Sequence, residues 1–252
     1  MMTVRRGAKV PARWRLFVCG LALLASGIAA AGATGWAPHL PLLLSSALTP
    51  DPDVALPAPT RTSYREIGTT RMLGVDAPLR TRLTARIPAE LGDVLVFYRT
   101  ELGKLGWQEQ RDGADIASDH VRLAYTTPLG PAALELERKD KSTSVNLVQR
   151  NREAATTAHV MPRPGRAALM LTNLSDKEAV LTLDNHTVTL PGRAGKERPE
   201  SPLFNIPPGK YSYALKVDGG PDRTTTIDLV AGDAWDVTIG PEGDLWSPLQ
   251  LY

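Results

Sequence analysis

The chain has 252 residues with 29 basic and 27 acidic side chains and a single cysteine. Five of the basic residues, Arg5, Arg6, Lys9, Arg13 and Arg15, precede an uncharged run, and no acid occurs before Asp51. Without them the remainder carries 24 basic against 27 acidic residues. That balance excludes a basic nucleic-acid binder, and Cys19 alone excludes intrachain disulfides and cysteine-based metal sites.

The run Leu16–Ala33 is 18 residues long, the lower limit for a membrane-spanning helix. Trp14 and Trp36 flank it at a helical separation of roughly 30 Å, the thickness of a hydrocarbon core, where tryptophans suit the two interfaces. The basic flank is expected to stay cytoplasmic and the rest of the chain to be exported. The alternative is a signal peptide cleaved after Ala31-Gly32-Ala33, a small-x-small site that would release a secreted chain. Bulky residues before Cys19 argue against lipidation, and Gly7-Ala8-Lys9 after Arg5-Arg6 argues against a twin-arginine signal.

Residues 37–63 hold six prolines and read as an extended linker. The next unit, residues 64–150, centres on an amphipathic helix. Leu91, Val94, Leu95, Tyr98, Leu102 and Leu105 fall on one face. Pro88, Glu90 and Asp93 mark its start, and Gly106 is placed for a left-handed cap. Arg82–Ile87, Val121–Thr126, Ala132–Lys139 and Ser142–Val148 alternate as strands. The expected order is β-α-β-β-β, a mostly antiparallel sheet with a helix on one side.

Residues 151–165 read as a second linker. Residues 166–252 read as all-β: Ala167–Asn173, Ala179–Leu183, His186–Leu190, Leu203–Ile206, Tyr211–Val217, Thr224–Val230 and Trp235–Ile239 give about seven short strands separated by turns, a sandwich pattern. The fold class expected is therefore α+β, an N-terminal transmembrane or signal helix followed by two exported domains.

The helix VLVFYRTELGKLGW, residues 94–107, with its short strands, resembles a small α/β module of bacterial membrane-anchored envelope proteins of unassigned function. PPGKYSYALKV (207–217) with AGDAWDVTIG (231–240) resembles prealbumin-like or carboxypeptidase-regulatory-like β-sandwich modules, which serve as accessory or adhesive units. The resemblance implies no catalytic residue and no cofactor.

The four histidines, His39, His120, His159 and His186, lack zinc-ligand spacing. No nucleophile elbow, phosphate loop or dinucleotide fingerprint occurs. Asp218–Asp222 reads as a hairpin turn, and the sequons at Asn173 and Asn185 as chance matches. What remains is binding. The polar loop Gly192–Pro202 offers Arg193, Lys196 and Arg198, and the tail offers Trp246 and Tyr252. Phe97, off the helix stripe, is the aromatic candidate in the first unit. Trp235, Trp246 and Tyr252 could together form a sugar platform, although the alternation of Trp235 with Val237 and Ile239 puts it in the core.

The sequence thus points to a non-enzymatic, single-pass inner-membrane protein with its bulk in the periplasm, acting as a scaffold or accessory subunit on an envelope protein partner. A glycan-binding accessory module is the runner-up, and a hydrolase with an unrecognised site the third reading. Residues beyond about 37 should be cut by protease added outside the inner membrane, while the protein stays in the pellet after a carbonate wash. Recovery of a free chain beginning at Thr34 would replace the anchor with a cleaved signal.

Overall fold

The computed structural model describes residues 48–184, 186–195, 201–217 and 223–252. The apolar run Leu16–Ala33, His39, Lys196, Arg198, Asn185 and the 218–222 turn lie outside the described residues. Among the described residues no helix is long and apolar enough to cross a membrane. The fold is β-rich, with three sheets and few helices.

The first sheet is antiparallel and ordered β1-β2-β6-β5-β4-β3. Its strands are β1 Tyr64–Thr70, β2 Arg80–Ile87, β3 Gln108–Ile116, β4 His120–Thr127, β5 Gly130–Lys139 and β6 Ser142–Arg150. Helix α1, Leu91–Lys104, crosses from β2 to β3 and covers one face. That face is built by the alternation of Leu83, Ala85 and Ile87 on β2, Val121, Leu123 and Tyr125 on β4, Leu134 and Leu136 on β5, and Val145 and Leu147 on β6. The opposite face carries Arg82, Arg86, Arg122, Glu135 and Glu137, all exposed, as antiparallel sheets with one solvated side do.

The helix ends as its sequence demands. The Trp107 amide donates to the Leu102 carbonyl at 3.1 Å and the Gly106 amide to the Gly103 carbonyl at 3.0 Å. That pair of bonds is a Schellman motif. It requires the left-handed φ of 76° at Gly106. The accompanying apolar contact is present, since Leu102 and Trp107 share the core.

Several expectations are corrected here. The order is ββαββββ, because β1 and β3 are also strands. Both are edge strands with almost every side chain exposed, so neither shows the apolar alternation that marks a strand in sequence. Leu105 is 49% exposed and Phe97 5% exposed. Leu105 is the C-cap and has left the helical path, while Phe97 turns inward edge-on to Tyr98, ring centroids 5.2 Å apart. Within the Pro-rich stretch, Leu56 and Ala58 join the first core, and Pro50 bridges Pro59. The stretch read as a second linker contains helix α2, Arg152–Thr157, capped by Asn151, whose side-chain oxygen accepts from the Ala154 amide at 3.0 Å. Six residues are too few to show a helical period.

The remaining strands form two four-stranded sheets, β10-β7-β13-β14 and β12-β11-β8-β9. They comprise β7 Ala167–Asn173, β8 Ala179–Leu183, β9 His186–Leu190, β10 Leu203–Ile206, β11 Gly209–Val217, β12 Arg223–Leu229, β13 Ala234–Ile239 and β14 Leu249–Gln250. One core joins them: Leu169, Leu171, Val237 and Ile239 from the first sheet meet Leu181, Tyr213, Leu215, Ile227 and Leu229 from the second. Strand β14 adds an eighth to the seven expected. Two residues cannot alternate, so the sequence hides it.

β7 and β13 run parallel, with Ala168 opposite Ala234 and Asn173 opposite Ile239. Their other face is buried too. Ala168, Met170 and Ala234 pack with Leu79, Ala154, Ala155 and Val160, and with Leu251 and Tyr252 from the tail. Arg150 at the end of β6 reaches across, its guanidinium 2.7 Å from the Asp233 carboxylate and 5.6 Å from the centre of the Tyr252 ring. Arg80, paired with Arg150 across β2 and β6, sits beside them. Burial first, then repulsion from Arg82 and Arg150, lowers its pKa to about 10, and Asp233 partly offsets this.

Leu102→Ala and Leu95→Ala should each cost about 2–5 kcal/mol, the range for truncating a buried leucine. Thr100→Ala, and equally Leu105→Ala at the exposed cap, should stay within about 0.5 kcal/mol. Chemical denaturation of the four variants measures this, and a large loss at Leu105 would mean the helix runs on past Lys104.

Candidate functional site

The binding residues expected from sequence are scattered by the fold. Asn173 closes strand β7 and is fully buried. Its Nδ2 donates toward the carbonyls of Lys177, Leu190 and Pro191, at 2.9, 3.3 and 3.1 Å, and its Oδ1 accepts from the Ser175 amide at 3.1 Å. One side chain thereby ties the 174–177 turn to the loop after β9. A side chain so enclosed is closed to glycosylation in the folded state. The same loop carries Arg193, which pairs with Asp176 while its own amide donates to the Ser175 carbonyl at 2.8 Å.

The turn after β13 lies at the same end of the β7–β13 pair, since the Leu174 amide donates to the Ile239 carbonyl at 2.8 Å. Gly240 makes this turn possible. A Cβ there would collide with the Asp244 carboxylate and the Trp246 indole nitrogen. With hydrogen in its place, the Gly240 amide donates to the Asp244 carbonyl at 2.7 Å, the Trp246 amide to the Thr238 carbonyl at 3.0 Å, and the indole Nε1 to Asp244 Oδ2 at 2.8 Å. Trp246 is thus held by backbone and side chain yet remains 46% exposed.

Tyr252 is placed elsewhere. Its carbonyl accepts from the Ala234 amide at 3.1 Å, at the opposite end of β13 from Thr238, ~13 Å away at strand rise. It is 3% exposed and packed under Arg150. A platform shared by Trp246 and Tyr252 is therefore ruled out by geometry. Trp235, on the same strand, packs against the core between the two sheets. Phe97 lies in the first core and presents no surface. Of the six residues singled out, Arg193 and Trp246 are brought to one end of the β7–β13 pair, Phe97 and Tyr252 are buried, and Lys196 and Arg198 lie outside the described residues.

Two surface depressions escape sequence reading. A cleft of about 590 Å³ runs between the β4–β5 hairpin and α2, lined by Gln110, Thr126, Leu129, Arg152, Glu153 and Thr157 among others. Gln110 Nε2 donates to Thr126 Oγ1 at 2.8 Å across its wall. Its lining mixes threonine hydroxyls and the Gln110 amide with apolar surface from Pro128, Leu129 and Pro131, and carries one cation and one anion. Its sequence signal is absent because α2 reads as a linker. A smaller depression of about 370 Å³ lies over His120, Arg122, Glu135 and Glu137. There the two ring nitrogens of His120 meet Asp119 at 2.8 Å and Asp115 at 3.0 Å. Asp119 first, then Asp115, raises the histidine pKa. Carboxylates at both ring nitrogens favour the imidazolium over the neutral ring. Among the described residues no three His, Cys, Asp or Glu side chains are placed to hold a metal ion.

A scan against protein-family models and a search of curated proteins each found no match. Function therefore rests on these sites and on chain topology.

Among the described residues no cation pairs with Asp236, a buried acid. Asp236 on β13 accepts from Thr172 Oγ1 at 3.0 Å and from Thr238 Oγ1 at 2.7 Å. Burial raises its pKa, and the two hydroxyls only partly oppose this. A folded pKa above the ordinary 3.8 means the folded state holds its proton longer than the unfolded one. Stability from this group is present at low pH and is lost as pH rises through the folded pKa. Asp236→Asn keeps a partner for each hydroxyl and removes the desolvated charge. It should be more stable than the natural chain at neutral pH, and the difference should vanish on acidification. Thermal melts across that range measure it, and a constant difference would show that the charge is not the cause.

Proposed function

We propose that this chain is a non-enzymatic scaffold or accessory interaction subunit of the bacterial cell envelope, tethered to the inner membrane through Leu16–Ala33, with its bulk exported. In this reading an α+β module is followed by a β-sandwich of the accessory kind that the PPGKYSYALKV stretch resembles. The topology rests on the basic flank, the uncharged run and its bordering tryptophans.

The observation that carries the interaction role is Trp246. An indole whose Nε1 donates to Asp244 and whose backbone amide donates to Thr238, and still half-exposed, loses little freedom when a partner covers it. Tryptophan is also among the residues that dominate binding energy at interfaces. Arg193, on the neighbouring loop, supplies charge at the rim, where charges steer association and selectivity.

A glycan-binding role is the second reading. The cleft beside α2 favours it, since Thr126, Thr157 and Gln110 offer the donors and acceptors that sugar hydroxyls need.

Capture from solubilised envelope, with the natural chain and with Trp246→Ala, tests the first reading. A protein partner should be retained by the natural chain and lost by roughly tenfold or more in the variant, the effect of removing an interface hot spot, with the thermal melt unchanged. Retention on envelope polysaccharide that survives Trp246→Ala and is lost with Gln110→Ala would support the cleft. Partner capture indifferent to Trp246 would reject the face proposed here.

A further inference from the structure

The six-stranded sheet has two ends, and they are finished differently. Strand β3 is broken by a register shift between Gln110 and Asp115, bends at Gly113 with a φ of 84°, and carries Glu109, Arg111, Asp112 and Asp115. Bulges and charges of this kind keep an edge from pairing with another chain. Strand β1 has no such break and carries two charges, Arg65 and Glu66. All seven of its residues pair with β2 in one unbroken register. Among the described residues its only other backbone bond is at its end, from the Leu79 amide to the Thr70 carbonyl. Among the described residues nothing else pairs with its outer row of amides and carbonyls.

Its side chains are open as well. Ile67 stands opposite Leu83, which is fully buried, yet Ile67 is 37% exposed. It lies on the α1 side of the sheet, two residues from Arg65, which pairs with Asp51 at 2.6 Å. Strand β12 is as long and also ends a sheet, but its apolar Ile227 and Leu229 are already buried, so a neighbour would gain little there.

We propose that β1 is a homotypic pairing edge. Two copies of the chain join β1 to β1, antiparallel about a two-fold axis through Ile67, so that one sheet continues into the other. A two-fold axis normal to the sheet keeps each face on its own side, so it passes through a residue and sets each residue opposite one of the same parity. Centring on Arg65 or on Glu66 sets like charges directly opposite, which is unfavourable. Centring on Gly68 leaves part of the strand unpaired. Centring on Ile67, the middle of the strand, uses its whole length. It sets Ile67 against Ile67, Arg65 against Thr69, Glu66 against Gly68 and Tyr64 against Thr70, with no like-charge pair. The two isoleucines then close each other's exposed flank and extend the cores under α1. This goes beyond the role proposed above and does not depend on it.

The test is the mass of the full chain in detergent micelles, by light scattering with the detergent contribution subtracted. The natural chain should be a dimer. Ile67→Lys and Ile67→Glu should each be monomeric, and their equimolar mixture should recover the dimer. Thr69→Arg, at an exposed position, puts arginine opposite Arg65 and should also give monomer, whereas Thr69→Glu should keep the dimer. A monomeric natural chain, a dimer that survives both Ile67 variants, or a mixture that stays monomeric would overturn the proposal.

Discussion

The described structure depends on one strand pair buried on both faces. β7 and β13 lie side by side, with Leu169, Leu171, Val237 and Ile239 turned into the core between two sheets and Ala168, Met170 and Ala234 turned against Leu79 and α2. Parallel neighbours are usually covered on both sides, because an open face would waste their apolar side chains. Here the second cover comes from the first unit and from the final residues of the tail. The small side chains Ala154, Ala155, Ala168 and Ala234 let these elements approach closely. The Arg150–Asp233 pair closes the edge of this contact, with Tyr252 stacked on the guanidinium. Asp233 is almost fully buried, and a charge so placed requires its partner.

That arrangement explains where function can reside. Side chains at the N-terminal ends of β7 and β13 are consumed by internal contact, and Tyr252 is among them. The loops beyond their C-terminal ends reach solvent, where the buried Asn173 braces two of them and Gly240 admits the turn that displays Trp246. A rigid frame with polar loops at one end is a common basis for recognition. The unpaired hydroxyls of Tyr98, Tyr125 and Tyr213 are buried in the two cores. Burial raises the pKa of each, that of Tyr125 to about 12. These phenols are packing groups with no proton to give near neutral pH.

The amino-acid sequence by itself determined the elements that bury an apolar face. Helix α1, its glycine cap and the strands β2 and β4 to β13 are all legible, because alternation, helical spacing and the turns between them record burial directly. It also determined the charge pattern around Leu16–Ala33. Only the tertiary structure decided the rest. β1 and β3 are strands because neighbours offer them backbone partners, and their exposed side chains leave no periodic trace. Phe97 is inside because its ring meets Tyr98, a contact that a single-helix projection cannot contain. Trp246 and Tyr252 are six residues apart in the chain, yet one is displayed and the other buried. That difference lies in Gly240, whose turn carries Trp246, and in Arg150, a residue distant in sequence whose side-chain charge meets Tyr252 only once the chain has folded.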